Sequence, residues 1–169
     1  MPGHYLIVKD SVVTQKRYWE FPQVKEKDMI TDKQLVYKKF ENLLTDAVKI
    51  RMRSDVPFGA FLSGGLDSSG IVSLMAKKSD HPVKTFTIGF DDKAFDESAL
   101  AAEVAQKFNT EHHRGTVLPE SFLQALERIS FHYDEPFGDS SAIPTDFVSG
   151  YAAKEVKMVL TGDGGDEAL

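Results

Sequence analysis

Short apolar runs that stop abruptly in glycine and aspartate set the limits on what this chain can become. Val56–Leu62 (VPFGAFL) empties into SGGLDSS, and Val156–Leu160 (VKMVL) empties into TGDGGDE. Such runs are too short and too continuously apolar for amphipathic helices, and they suit strands buried on both faces of a parallel sheet. Val83–Phe90 (VKTFTIGF) reads as another, and Glu111–Leu118 (EHHRGTVL) as a weaker one. Helical periodicity fills the intervals. Ile71, Val72, Met75 and Ala76 share one face of a helix over Asp67–Lys78 that ends in two lysines. Leu100, Ala101, Val104, Ala105 and Phe108 do the same in a helix opening at Phe95-Asp96-Glu97-Ser98. A third helix opens at Pro119, with Phe122, Leu123, Leu126 and Ile129 on one side, and a fourth covers Ile143–Glu155. Strands alternating with helices predict an α/β fold: an open, mainly parallel sheet with helices on both faces and right-handed crossovers.

The two strand exits carry the chemistry. Gly64 and Gly65 permit backbone conformations closed to residues with a Cβ, so successive amides can converge on one concavity. Ser63, Ser68 and Ser69 add hydroxyls, and the following helix turns its positive end toward the same place. That combination suits an anion. Asp67 beside a phosphate makes chemical sense when a divalent cation lies between them. The loop is neither a Walker loop, which needs a lysine followed by Ser or Thr, nor a three-glycine dinucleotide fingerprint. Ser63 is no nucleophile elbow either, because Phe61 stands where that turn needs glycine. Both strand exits should meet at the carboxyl edge of the sheet, where open α/β sheets bind ligands. Asp67 and Asp166 are therefore expected on opposite sides of one magnesium-bound triphosphate, with Asp163 at the same edge. His112 and His113 are adjacent on a strand and point to opposite faces, so they do not make a metal pair.

Composition narrows the classes. Of 169 residues 41% are hydrophobic and 27% charged, with a net charge of -6, which argues against a broad nucleic-acid footprint. There is no cysteine, hence no disulfide, thiolate metal site or cysteine nucleophile. No apolar stretch reaches membrane-spanning length and no signal peptide is visible, so the expected location is cytoplasmic, with no membrane partner. Residues 1–21 hold two strand-like runs around a Lys-Asp-Ser turn, and residues 22–31 are linker-like. Residues 32–169 form the main domain. It starts with a helix capped by Asp32 whose Leu35, Val36, Phe40, Leu43, Leu44, Ala47 and Val48 form an apolar stripe expected to cover the sheet.

SGGLDSS resembles the pyrophosphate-binding loop of the PP-loop ATP pyrophosphatases, within which the chain resembles the synthetase domain of glutamine-hydrolysing asparagine synthetases. TFTIGF, FDES, the HH pair, DEPFGDSSAIPT and TGDGGDE follow in that family's order. The resemblance implies ATP as co-substrate with Mg2+, and adenylation of the side-chain carboxylate of aspartate with release of pyrophosphate. Ammonia then gives asparagine and AMP. It implies adenine and ribose contacts from the backbone around Phe61, Ile88, Gly89, Thr161 and Gly162, phosphate contacts from Ser63, Gly64, Gly65, Asp67, Ser68 and Ser69, and a DSSAIPT loop near the amino acid; the strand-end residues themselves point to metal contacts from Asp67 and Asp166 and to Asp163 as the group that orients the intermediate or takes a proton. PGHYL and KRYWEFP resemble the close of that family's glutaminase domain, so residues 1–21 are expected to be its tail. The catalytic cysteine that would release ammonia from glutamine has no counterpart here, and the family continues beyond GDGGDE to a region bearing an essential lysine. A fragment of a longer synthetase is expected, with a second copy of itself as a candidate partner, able to bind ATP while catalysing little. The alternatives are a related amide or β-lactam synthetase acting on another carboxylate, and a non-catalytic nucleotide-binding module of similar architecture.

Overall fold

A computed structural model describes residues 1–93, 96–117, 122–135 and 138–168. The helix openings expected at Phe95 and Pro119, the strand end at Leu118, Pro136 and Phe137 of the DEPFGDSSAIPT loop, and Leu169 lie outside the described residues. The chain divides into two units, Met1–Glu41 and Asn42–Leu169.

In the first unit β1 (His4–Lys9) and β2 (Val12–Arg17) pair antiparallel, with Lys9 opposite Val12. The two residues between them, Asp10 and Ser11, both take positive φ (50° and 61°), as a two-residue turn matched to the twist of its strands requires. Helix α1 (Lys33–Arg51) starts in this unit, where Asp32 Oδ1 accepts the amides of Gln34 at 2.9 Å and Leu35 at 3.3 Å. That is the expected N-cap. The apolar stripe of α1 is only partly used. Leu35, Val36 and Phe40 are exposed, Leu43 is 73% exposed, and burial is confined to the C-terminal turns around Val48.

The second unit is built on a four-stranded sheet of β3 (Phe58–Phe61), β4 (Lys84–Gly89), β5 (Glu111–Thr116) and β6 (Met158–Leu160), in the order β5-β4-β3-β6. Every pairing is parallel. The crossovers are α2 (Leu66–Lys78), α3 (Ser98–Lys107), and the pair α4 (Phe122–Tyr133) and α5 (Ala142–Ala152). Residue alternation along the strands shows two covered faces. Ala60, Leu62 and Leu160 join Val48, Val72, Met75, Ala101 and Ala105 in one cluster, which holds α1, α2 and α3. Phe61, Phe86 and Val159 turn the other way and meet Val148, Tyr151 and Ala152 of α5. Val72 and Met75 have no exposed surface, and burying each stabilises the sheet by about 1.5–3 kcal/mol. A third cluster, Ala125, Ile129 and Ala142 with Ile143 and Phe147, joins α4 to α5.

Several boundaries differ from those expected, for local reasons. Strand β3 starts at Phe58 and not Val56, because the Ser54 hydroxyl donates to the Val56 carbonyl at 2.9 Å and accepts its amide at 3.1 Å, tying it into a turn. Helix α5 stops at Ala152 and not Glu155, because the chain must turn to bring the Lys157 amide onto the Pro57 carbonyl at 2.9 Å. Beyond β6, Gly165–Ala168 forms a single helical turn, α6.

Chain order places the working edge. From β3 the chain moves outward through β4 and β5, then returns to place β6 on the other side of β3. The strand order thus reverses at β3, whose two neighbours are reached by crossovers to opposite sides, and the crevice lies at the carboxyl ends of β3 and β6.

Candidate functional site

The crevice is built by two glycine-bearing loops that interlock. Gly64 (φ +86°) and Gly164 (φ +89°) each take a left-handed conformation that side chains disfavour, which is how both chains turn sharply out of their strands. Gly64 also lies so close to α3 that a Cβ would stand 2.7 Å from the Ala101 nitrogen and from Leu100 Cβ. In the second loop, a Cβ on Gly162 would meet the Ser68 amide nitrogen at 2.6 Å. A Cβ on Gly165 would run into the Asp67 carboxyl group, with Oδ1 at 2.8 Å and the other carboxyl atoms nearer still. Glycine at these positions lets the second loop close over the start of α2 and against the Asp67 side chain.

Hydroxyls hold the first loop's shape. The Ser63 and Ser68 hydroxyls are 3.0 Å apart, Gly65 donates its amide to Ser63 Oγ at 3.2 Å, and Ser68 Oγ reaches the Gly65 carbonyl at 3.3 Å. Ser63 and Ser68 thus spend hydrogen bonds on the turn itself. Ser69 Oγ is buried and has no hydrogen-bond partner, an orphan that calls for a polar neighbour. Gly65, not Asp67, occupies the N-cap of α2, so the Asp67 carboxylate lies within the first turn, near the free amides and positive end of the helix.

A cavity of about 830 Å³ opens over both loops. Phe61, Ser63, Gly65, Asp67 and Ser68 line it from one side, and Thr161, Gly162, Asp163 and Asp166 from the other. Glu97, Tyr133, Asp139, Ser141 and Thr145 close the wall. Asp139 Oδ1 accepts the Ser141 amide at 2.8 Å, and this bond holds its carboxyl below the usual range, hence ionised. Among the described residues the lining contains five carboxylates (Asp67, Glu97, Asp139, Asp163, Asp166) and no lysine, arginine or histidine.

Beside it lies a smaller pocket of about 200 Å³, walled by Phe61, Leu62, Phe86, Ile88, Phe90, Pro144 and Val148. This is a mostly apolar slot, with Ser63, Thr87, Glu97 and Thr145 as its polar lining. Of the residues singled out from the sequence, Ile88 lines this slot and not the larger cavity. Gly89 stands against Arg114, whose guanidinium reaches Asp96 Oδ2 at 3.3 Å. Asp96 Oδ1 accepts the Ser98 amide at 3.1 Å, and its hydrogen bonds to Ser98, with Arg114 alongside, hold its carboxyl below the ordinary value. Gly64 packs on α3 without facing the cavity. Glu97, Tyr133 and Phe86 were not singled out from sequence as lining residues, since all three reach the crevice only through the packing of α3, α4 and β4.

Among the described residues no three His, Cys, Asp or Glu side chains stand close enough to cage an ion. The donor set of Asp67 and Asp166 fits a magnesium ion that arrives with phosphate oxygens and water, the usual habit of that ion. His112 and His113 divide between the two faces of the sheet. The Thr85 hydroxyl lies 3.0 Å from His112 Nδ1, while the His113 ring stacks on Phe86 at 5.1 Å.

The family model described as Asparagine synthase matches residues 39–169. A putative glutamine-hydrolyzing asparagine synthetase of Methanocaldococcus jannaschii is 49% identical over 153 residues, covering 90% of this chain and 29% of that protein. Glutamine-hydrolyzing asparagine synthetase 1 of Bacillus subtilis is 38% identical, covering 98% and 26%. Amidase chyE of Penicillium rubens is 32% identical, covering 99% and 27%. The chain thus spans less than a third of the length of these relatives. Among solved structures, an ammonia-dependent NAD synthetase from Campylobacter jejuni superposes with a TM-score of 0.49 at 19% identity, over 82% of this chain and 60% of that one. No helix among the described residues is long and apolar enough to cross a membrane. With the family match running from within α1 through the last residue, the chain belongs to the asparagine synthase family.

Proposed function

We propose that this chain supplies the ATP site of an amide-forming ligase that activates a carboxylate by adenylation. The observation that carries the reading is the interlock of two glycine-aspartate loops from β3 and β6 at Asp67, beside a mostly apolar slot. In this reading the amides of the first loop and of the start of α2, with Ser63, Gly65, Ser68 and Ser69, grip the β and γ phosphates as one unit, while Gly64 makes the turn that brings them there. Phe61, Ile88, Gly89, Thr161 and Gly162 frame the base and ribose. Asp67 and Asp166 hold magnesium, which neutralises phosphate charge when bound. Five carboxylates facing a triphosphate without any cation would repel it, so the acidity of the wall favours an ion between them.

Gripping β and γ together makes pyrophosphate the leaving group. A substrate carboxylate oxygen bonds to the α-phosphorus as the bond from that phosphorus to the β-phosphate oxygen breaks. The resulting acyl-adenylate is opened by an amine: a carbon-nitrogen bond forms, the acyl-oxygen bond breaks, AMP leaves and a proton is lost. The chain's part is alignment and charge placement. Asp163, on the cavity wall, is positioned to orient the intermediate or take that proton, and the Asp139–Thr145 segment is the wall for the carboxylate substrate. Membership of the family favours aspartate as that substrate, with ammonia delivered by a glutaminase region and the reaction running in the cytoplasm. The amidase relative favours, as a second reading, the same adenylation on another carboxylate.

Calorimetric titration of ATP with and without magnesium tests the reading. Wild-type binding should require magnesium, and Asp67→Ala should weaken it at least about tenfold, the worth of one contact to a charged group. Binding equally tight without magnesium, or untouched by the substitution, would refute it.

A further inference from the structure

The two pockets share four lining residues, Phe61, Ser63, Glu97 and Thr145. If a nucleotide bridges them, as the proposed function holds, its base lies in the apolar slot and its phosphates over the glycine loops. The sugar then has one place to go, the shared wall. Phe61 offers no side-chain hydrogen-bonding group there, and the Ser63 hydroxyl is engaged with Ser68 and Gly65. Glu97 and Thr145 remain. Thr145 belongs to the first turn of α5 and, like Glu97, lines both pockets.

Glu97 is an exposed carboxylate at the N-cap position of α3, yet it caps nothing with its side chain, because Asp96 supplies the bond to the Ser98 amide. A carboxylate at that spot repels phosphate and accepts from hydroxyls, and a vicinal diol presents two donors to its two oxygens. We infer that Glu97 accepts the ribose 2′ and 3′ hydroxyls, with Thr145 on the other side, and so selects ribonucleotides over deoxyribonucleotides. The same chemistry also sets the direction of binding, since it leaves the phosphates only the glycine-loop end.

The test compares ATP with 2′-deoxy-ATP by calorimetry in magnesium buffer, for the wild type, Glu97→Ala and Glu97→Gln. Wild type should favour ATP by about tenfold or more, the worth of one hydrogen bond to a charged acceptor. Glu97→Ala should erase the preference, bringing both nucleotides to one affinity: ATP loses two hydrogen bonds and weakens more, while 2′-deoxy-ATP loses only that of its 3′ hydroxyl and weakens less. Glu97→Gln, which keeps one acceptor without the charge, should retain part of the preference. Equal affinity of wild type for both nucleotides, or a Glu97→Ala variant that weakens both equally, would overturn the ribose assignment while leaving the nucleotide site standing. A folded wild type that binds neither nucleotide would overturn both.

Discussion

Replacing Gly165 with alanine separates the position of one carboxylate from the stability of the fold. An alanine Cβ would stand 2.8 Å from Asp67 Oδ1, with the rest of the carboxyl group nearer still. Comfortable contact needs about 3.5 Å, so the intruding methyl must displace something by well over half an ångström. What it meets is the end of a side chain, and Asp67 can rotate away. Leaving its preferred rotamer costs about 0.5–1.5 kcal/mol. Alanine in place of glycine at the start of α6 returns roughly 0.5–1 kcal/mol. The net change in stability should stay within about 1 kcal/mol, a Tm shift of no more than about 4 °C. The carboxylate, however, is turned out of the place where it meets the second loop. Magnesium-dependent ATP affinity should therefore fall at least about tenfold, while thermal melting barely moves. Unaltered ATP affinity in the alanine variant would show that Asp67 does not work from this position. A Tm loss above about 10 °C would show that backbone and not side chain yields, and would refute the geometric reasoning from the other direction.

Gly70, inside α2, has open space where a Cβ would sit, so Gly70→Ala should stabilise the fold by about 0.5–1 kcal/mol, read as a higher denaturation midpoint. His112 makes stability depend on pH near neutrality. Burial first, then the neighbouring His113 and Arg114, lowers its pKa below the ordinary 6.5, so the unfolded chain takes up its proton at a higher pH than the folded one. Stability should fall as pH drops below about 6.5, and a His112→Gln variant should flatten that part of the Tm profile. The carboxyls of Asp96, Asp139 and Glu155, all lowered by their hydrogen bonds, add their own loss only in the more acidic range below ordinary carboxylate values.

The sheet was legible because each of its strands leaves a local signature. A continuous apolar run cannot be satisfied at a surface, and the glycines beyond Leu62 and Leu160 mark where the chain must turn. Asp32 announced its cap by residue type alone, and the hairpin turn announced itself at Asp10-Ser11. What stayed hidden depends on partners distant in the chain. The apolar stripe of α1 has a helical period throughout, yet period says nothing about how much of a helix finds a surface to cover, and Leu35, Val36, Phe40 and Leu43 stay exposed. Glu97 looks like one more acid at the start of a helix. Its place between the two pockets comes from the approach of α3 to Gly64, a contact between elements with no sequence pattern of its own. The closeness of Gly162 to the Ser68 amide is likewise a tertiary fact, although the glycine itself was visible.

The pairing of β3 with β6 also fixes when this site can come into being. Phe58 lies opposite Met158, so 158 − 58 = 100 residues separate two neighbours in the sheet. Closing a loop of that length is entropically slow, and the reward arrives only when the last strand docks. On a ribosome adding roughly 5–20 residues each second, β3 emerges some 5–20 s before the partner that covers its second edge. During that interval it is an open strand edge that invites the wrong neighbour. The same docking that silences the edge brings the second glycine loop onto Asp67, so nucleotide binding at the proposed site would report that synthesis has passed β6 and that the sheet has closed in its native order.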